Sequence, residues 1–327
     1  MNLKLLRGGA IMDSIIHQDQ LAHIAHDYYL SKLSITELSK KYQLSRYLIT
    51  KSLDEALASG LVSIQINSPM ARNFQLETAV KKQFGIPHVA IMKDADNPGQ
   101  DSSSIIEFAA EQIQLVLRQS HIVGVTWGST VFDVVDHFHN ELRDDLTFTQ
   151  FLGENMKYNS ASGSTRMVEK AAAKFEANYL TIPAPLYVVN DAIREGLPQE
   201  PALRRTFAAA NRMDFLFCGM GTVSSIDSIP QWTQAKKEIF PGVDFSDIAG
   251  ILFGRPYDIR GHFLLPEADK TLGVSLDNIL ATPRRLAVIK SKFKTDAALG
   301  ALRGHMITDL VMNESIAQRI LAAAGFN

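Results

Sequence analysis

Six short apolar runs, at 88–92, 121–126, 147–152, 214–219, 286–289 and 307–312, alternate with stretches of helical period at 103–118, 129–140, 165–176, 203–211, 296–303 and 314–324. Runs this short and continuous suit strands buried on both faces, whereas a buried helix would need about twice the length. Strand and helix in alternation predict an α/β domain with a Rossmann-like, mostly parallel sheet covered by helices on both faces. Such sheets bind ligands beyond the carboxyl ends of their strands, where loops run into helix amino termini. The alternation therefore selects the loops in which to look for chemistry before any motif is considered.

With 327 residues, 46% of them apolar and 21% charged, the chain is too long for one small domain and too apolar for disorder. Two domains are expected. A formal net charge of -2 excludes a protein that coats nucleic acid through bulk positive charge and leaves room for a small, local DNA-reading element. Cys218 is the one cysteine, so no intrachain disulfide is expected, and no apolar run approaches the roughly 18 residues of a membrane span. Both features predict a cytoplasmic protein with no membrane partner. The first residues, MNLKLLRGGAIM, lack the apolar core and cleavage site of a secretory signal. Arg7-Gly8-Gly9 ahead of Met12 reads as a translated ribosome-binding sequence, which makes Met12 the expected natural start. Residues 1–17 are assigned to a tail without function.

Residues 18–67 carry the most specific local pattern. Leu21, Ile24, Ala25, Tyr28 and Tyr29 recur at helical spacing, with His23, His26 and Asp27 left to the polar side. Ser34 with Glu37 forms a capping-box pattern ahead of a short helix whose stripe is Ile35, Leu38 and Tyr42. After the turn Gln43-Leu44, Ser45 caps a third helix, 46–59, expected to bury Leu48, Ile49, Leu53, Ala56 and Leu57 and to stop at Gly60. Alternation over Leu61–Ile66 predicts one strand. Three helices with a tight turn between the last two, and a strand behind, make a winged helix-turn-helix, whose final helix lies in the major groove. Arg46, Tyr47, Thr50 and Lys51 are the side chains on that helix that the core leaves free to bond bases or phosphates. Lys32, Lys40, Lys41, Arg46 and Lys51 are balanced by Asp19, Asp27, Glu37, Asp54 and Glu55. Binding by a single copy should therefore be weak, and useful affinity should need dimerisation.

Asn67-Ser68-Pro69 breaks the strand pattern, placing a linker at 68–72 and a larger domain at 73–327. Four of its loops follow strands and carry polar or glycine residues: Gly128-Ser129-Thr130, Gly153-Glu154-Asn155, Gly219-Met220-Gly221-Thr222, and Lys290-Ser291-Lys292-Phe293-Lys294. The first runs straight into a helix, so backbone N–H groups and two hydroxyls can cradle an anion there. No full Gly-x-Gly-x-x-Gly signature and no Gly-x-x-x-x-Gly-Lys-Ser/Thr loop is present. A nicotinamide cofactor or ATP is disfavoured, and no cofactor is expected.

Taken in order, ITELSKKYQLSRYLITKSLDEALASGLVSIQIN (35–67), VGVTWGSTV (123–131), IPAPL (182–186), GMGTV (219–223), RPYDIRG (255–261) and ALGALRGHMITDLVMNESIA (298–317) resemble the landmarks of the SorC family of bacterial sugar-responsive transcriptional regulators. The resemblance implies an amino-terminal helix-turn-helix joined to a sugar-binding domain similar in fold to sugar-phosphate isomerases. It also implies assembly as a homodimer or homotetramer and control of operator DNA by a sugar or sugar phosphate. Carried over by position, the effector residues are Thr126, Gly128, Ser129, Thr130, Gly153, Glu154, Gly221, Thr222, Asp258 and Lys294, with Lys294 as the anion partner. This chain departs from the family pattern at Gly153-Glu154, where a Gly-Gly pair is common, at Ile251, where an acid is common, and at Lys290-Ser291, where another Gly-Gly pair is common. Glu154 should repel a nearby phosphate yet hold sugar hydroxyls, the missing acid removes a hydroxyl acceptor, and Lys290 adds positive charge.

Asp133 and His137 lie one helical turn apart, as two metal ligands can, but no third ligand accompanies them, so no metal is expected. Cys218 ends an apolar strand with no base in view, and no catalytic residue is assigned. The expectation is a regulator and not an enzyme. The alternative is a sugar-phosphate isomerase-like enzyme with an appended helical module, which would need a carboxylate or lysine such as Glu154, Asp258 or Lys294 placed for proton transfer.

Overall fold

The computed structural model describes residues 4–63, 72–94, 98–155, 163–264 and 269–325. The chain divides into two compact units, Met1–Ser68 and Pro69–Asn327.

The first unit contains α1 (Lys4–Tyr29), α2 (Ile35–Tyr42) and α3 (Arg46–Ala58). Leu21, Ile24, Ala25, Leu38, Ile49, Leu53 and Ala56 meet in one small core. The capping box forms as the sequence requires: the Glu37 N–H donates to Ser34 Oγ, and the Ser34 N–H donates to Glu37 Oε2 at 2.8 Å. Gln43 takes a left-handed conformation that ends α2, and Ser45 accepts the Leu48 N–H to start α3. This unit corrects four sequence expectations. Helix α1 begins at Lys4 rather than near Asp19, because once a helix has nucleated each further residue adds a hydrogen bond for one residue fixed. Leu48 and Leu57 are 43% and 40% exposed, since Ile49, Leu53 and Ala56 already fill the narrow seam. Asp27, assigned to the polar side, is buried beneath Lys41 and Tyr42, each 2.6 Å from its Oδ2. Leu61–Ser63 form no strand, and the remainder of the expected strand lies outside the described residues.

The second unit holds a seven-stranded sheet of β1 (His88–Met92), β2 (Ile122–Val125), β3 (Thr147–Thr149), β4 (Asn178–Leu180), β5 (Phe215–Cys218), β8 (Arg284–Ile289) and β9 (Asp309–Asn313), plus a two-stranded hairpin of β6 (Gly250–Leu252) and β7 (Arg255–Tyr257). The sheet order is β1-β9-β8-β5-β2-β3-β4, and every pairing in it is parallel. Successive residues of each strand serve opposite layers. Val123, Val125, Phe215, Phe217, Leu286 and Val288 pack into one core, and Leu216, Cys218, Ala287 and Ile289 into the other. Each large side chain buried in this way contributes about 1.5–3 kcal/mol, which is why the runs read as unbroken apolar segments. Helices Ser129–Asp136, Ser164–Phe175, Pro201–Ala210, Thr295–Arg303 and Glu314–Ala323 connect the strands. Strand order reverses direction around β5, with β2 on one side and β8 on the other. The carboxyl ends of these three strands therefore flank the crevice in which such folds bind ligands.

Candidate functional site

A cavity of about 260 Å³ opens beyond β2, β5 and β8, near the lower end of the usual range for ligand pockets. Its floor is the β2 loop Thr126–Thr130 and the β5 loop Gly219–Gly221. Thr126 is buried, and its Oγ1 accepts the Gly219 N–H at 3.2 Å, locking one loop to the other. Gly128 precedes the helix Ser129–Asp136 with φ +127° and ψ 157°, a conformation open essentially to glycine alone. No side chain caps this helix, so its first N–H groups stay available at the cavity, with the positive end of the helix dipole behind them. The Ser129 and Thr130 hydroxyls stand beside them.

Lys294 lines the same cavity from a short turn, Lys292–Lys294, that follows β8. Among the described residues its ammonium has no hydrogen-bond or ion-pair partner. Burial, reinforced by Lys290 nearby, lowers its pKa below the usual lysine value. Lys290 is neutralised: its Nζ sits 2.7 Å from Asp133 Oδ2. That pairing corrects the expectation that Lys290 supplies charge to the pocket, and it commits the Asp133 carboxylate to an ion pair.

Much of the remaining lining is aromatic or aliphatic. Tyr187 stacks edge-on against Trp232 and Phe240, with ring centroids 4.9 and 5.2 Å apart, and donates its hydroxyl to the Gly254 carbonyl at 2.6 Å. The β6–β7 hairpin delivers Ile251, Phe253 and Gly254. It is pinned to the β5 loop by reciprocal 2.9 Å bonds between Gly221 and Ile251. Asn155 enters from the segment after β3, which the 2.8 Å bond from the Leu186 N–H to the Glu154 carbonyl aligns beside Tyr187. Asn155 lies in the strand-end loop Gly153-Glu154-Asn155 but was not among the expected effector residues, and Tyr187, Trp232 and Phe253 carry no charge signal in the sequence. They come from connections far apart in the chain and converge only in three dimensions.

Of the ten effector residues expected from sequence, Thr126, Gly128, Ser129, Thr130, Gly221 and Lys294 line this cavity, and Gly153, Glu154, Thr222 and Asp258 do not. Gly153 has a packing task, since a Cβ there would lie 2.4 Å from the Pro185 carbonyl oxygen. The Glu154 carboxylate accepts the Thr165 N–H and hydroxyl at 2.9 and 2.8 Å at the start of the helix Ser164–Phe175. Thr222 is the N-cap of the helix Val223–Asp227. Asp258 faces a separate cavity bordered by Arg260 and Arg303. Burial raises its pKa, but the backbone N–H groups of His262 and Arg260 outweigh that and hold the carboxyl below its usual range. Cys218 is fully buried, and burial pushes its thiol up to about 12. Among the described residues no His, Cys, Asp and Glu group is arranged to hold a metal, and no helix is long and apolar enough to cross a membrane.

In the first unit, Arg46, Tyr47, Thr50 and Lys51 are all exposed on α3, Tyr47 at 73%. Neither Arg46 nor Lys51 is held in an ion pair among the described residues. Thr50 Oγ1 donates to the Arg46 carbonyl at 3.1 Å.

The Sugar-bind family model, a sugar-binding domain, matches residues 68–322, most of the chain. The chain belongs to this family of SorC-type regulators. Along almost its whole length this member is 24% identical to the transcriptional regulator LsrR of Enterobacter sp. (strain 638), covering 95% of each chain. It is also 24% identical to the sorbitol operon regulator of Klebsiella pneumoniae, covering 92% of this chain and 97% of that one. The crystal structure of full-length SorC from Klebsiella pneumoniae superposes with a TM-score of 0.67 at 21% identity, covering 93% of this chain and 99% of that one. A DeoR family regulator from Listeria monocytogenes gives a TM-score of 0.65 at 18% identity over 76% of this chain and 99% of that one. These relatives are transcriptional regulators.

Proposed function

We propose that this chain is a sequence-specific DNA-binding regulator of carbohydrate metabolism whose hold on its operator is set by a small anionic effector, a sugar or sugar phosphate, seated beyond β2, β5 and β8. The observation that carries the reading is the partly buried Lys294 ammonium, left without a protein partner in the same cavity as the uncapped start of the helix Ser129–Asp136. A buried cation without a counter-ion is costly, and an anion held at once by N–H groups and an ammonium removes that cost. Thr126, Gly128, Ser129, Thr130, Gly221 and Lys294 form the effector site in this reading. Gly153, Glu154 and Thr222 hold its surroundings, and Asp258 borders a separate cavity.

Arg46, Tyr47, Thr50 and Lys51 are assigned to DNA, with Arg46 and Lys51 carrying most of the contact. The near-neutral charge of this module favours a homodimer or homotetramer working in the cytoplasm, in which two recognition helices meet half-sites together. The effector binds one arrangement of the oligomer better than the other and thereby shifts operator affinity. The test is binding of the purified full-length protein to DNA upstream of its own and neighbouring genes, at fixed salt, with a panel of free and phosphorylated sugars. A specific complex that one of these compounds weakens or strengthens is expected. A folded protein that forms no specific complex under any of the conditions refutes the reading.

A further inference from the structure

The chain has two tryptophans, Trp127 and Trp232, and both line the cavity beyond β2, β5 and β8. Trp232 belongs to the short helix Pro230–Gln234 and is 7% exposed. It is held in place: its backbone N–H donates to the Ile229 carbonyl at 3.0 Å, and the Tyr187 ring meets its ring edge-on with centroids 4.9 Å apart. Two hydroxyls of the lining already give their protons to protein carbonyls, Tyr187 to Gly254 at 2.6 Å and Ser228 to Ser225 at 2.9 Å. The Trp232 indole differs from them, because among the described residues its N–H has no acceptor.

An indole N–H donates and cannot accept, and a buried one normally finds a partner, since leaving it without one costs free energy. With the ring fixed by its neighbours, the acceptor has to come from whatever occupies the cavity. We infer that Trp232 is an effector-contacting residue: its Nε1–H donates to an oxygen of the effector, a hydroxyl, carbonyl or ring oxygen, and this bond fixes how the molecule is turned in the cavity. The inference rests on the reading of this cavity as the effector site. It adds to the effector residues a side chain that neither a strand-end loop nor a charge pattern selects.

The test uses full-length protein isotopically labelled at its tryptophan nitrogens, which gives two indole N–H resonances by NMR, one from Trp127 and one from Trp232. The probes are glucose, fructose, ribose, glucose 6-phosphate, fructose 6-phosphate and ribose 5-phosphate. Trp232→Phe keeps an aromatic ring beside Tyr187, removes the N–H, and identifies the Trp232 resonance by its disappearance. The probe that calorimetry finds to bind most tightly should move the Trp232 resonance downfield and slow its exchange with water. Trp232→Phe should bind that probe about 2- to 12-fold more weakly, as the loss of one neutral hydrogen bond requires. A Trp232 resonance that fails to move downfield while that of Trp127 moves, or an affinity unchanged in Trp232→Phe, overturns the inference and leaves the effector site in place. A probe that binds and moves neither resonance, or the failure of all six to bind, overturns the site assignment, and this inference with it.

Discussion

Replacing Lys294 with methionine keeps the length and apolar stem of the side chain and removes only its charge. Two effects of opposite sign follow. Without effector, the ammonium is partly buried, has no partner among the described residues, and has a pKa below that of a free lysine because of burial and Lys290. Between the folded and unfolded pKa values the unfolded chain binds more protons, so this lysine opposes folding at neutral pH, and its contribution improves as pH rises toward the unfolded value. Lys294→Met should therefore give a Tm no lower than wild type at pH 7. With effector, the variant loses a charge-assisted hydrogen bond, about 1.5–3 kcal/mol, which weakens binding by about 10- to 150-fold. Calorimetry for Tm and titration with the sugar phosphate that alters operator binding measure both effects on one preparation. A clear fall in Tm, or a Kd within about threefold of wild type, would refute the reasoning. The first would mean that the charge has a stabilising partner, the second that it does not touch the effector.

Gly128→Ala introduces no clash, since nothing lies within 4 Å of the added Cβ, but φ of +127° becomes strained. A cost on the order of 1–3 kcal/mol, with a Tm lower by roughly 2–4 °C per kcal/mol, is expected by scanning calorimetry together with weaker effector binding. Asp27 is held down to about 2 by its bonds to Lys41 and Tyr42. Its stabilising contribution should be complete above about pH 4 and be lost as pH falls through 2, so the Tm difference between wild type and Asp27→Asn should shrink over that interval; a difference that stays constant would count against it. Arg46→Ala and Lys51→Ala should each weaken operator binding and leave effector binding unchanged. Where the lost contact is to phosphate, the salt dependence of the logarithm of affinity should fall by about one unit per site. Unchanged operator binding in both would remove α3 as the reading helix.

The parts of the fold legible in the sequence are those with long-lived periodicity. The six apolar runs became β1, β2, β3, β5, β8 and β9, because burial on both faces leaves no polar position to interrupt them. The Ser34–Glu37 capping box was legible because it is local chemistry. Strand β4 was not, since Asn178-Tyr179-Leu180 is three residues long on the sheet edge and half exposed at Tyr179. The hairpin β6–β7 was hidden for a similar reason, with Pro256 inside one strand and Gly250 beginning the other. At the site, residues next to a strand end could be placed from the alternation alone, and Ser129, Gly221 and Lys294 arrive where that logic puts them. Asp258 looked equivalent by motif, but its turn after β7 uses the carboxylate to hold the Arg260 and His262 N–H groups. Asp27 looked like a surface residue because the two groups that bury it lie on another helix.

The pairing of β1 with β9 joins His88–Met92 to Asp309–Asn313, almost the full length of the second unit apart. A ribosome making this chain releases α1–α3, whose core is assembled from nearby residues, long before the strand that β1 needs exists. Until then β1 and the free side of β8 are open edges able to pair with other nascent chains. The three-helix unit is thus complete early, while the α/β unit waits for its last strand. A message cut short before β9 would release a polypeptide with a finished helix-turn-helix and a sheet that cannot close.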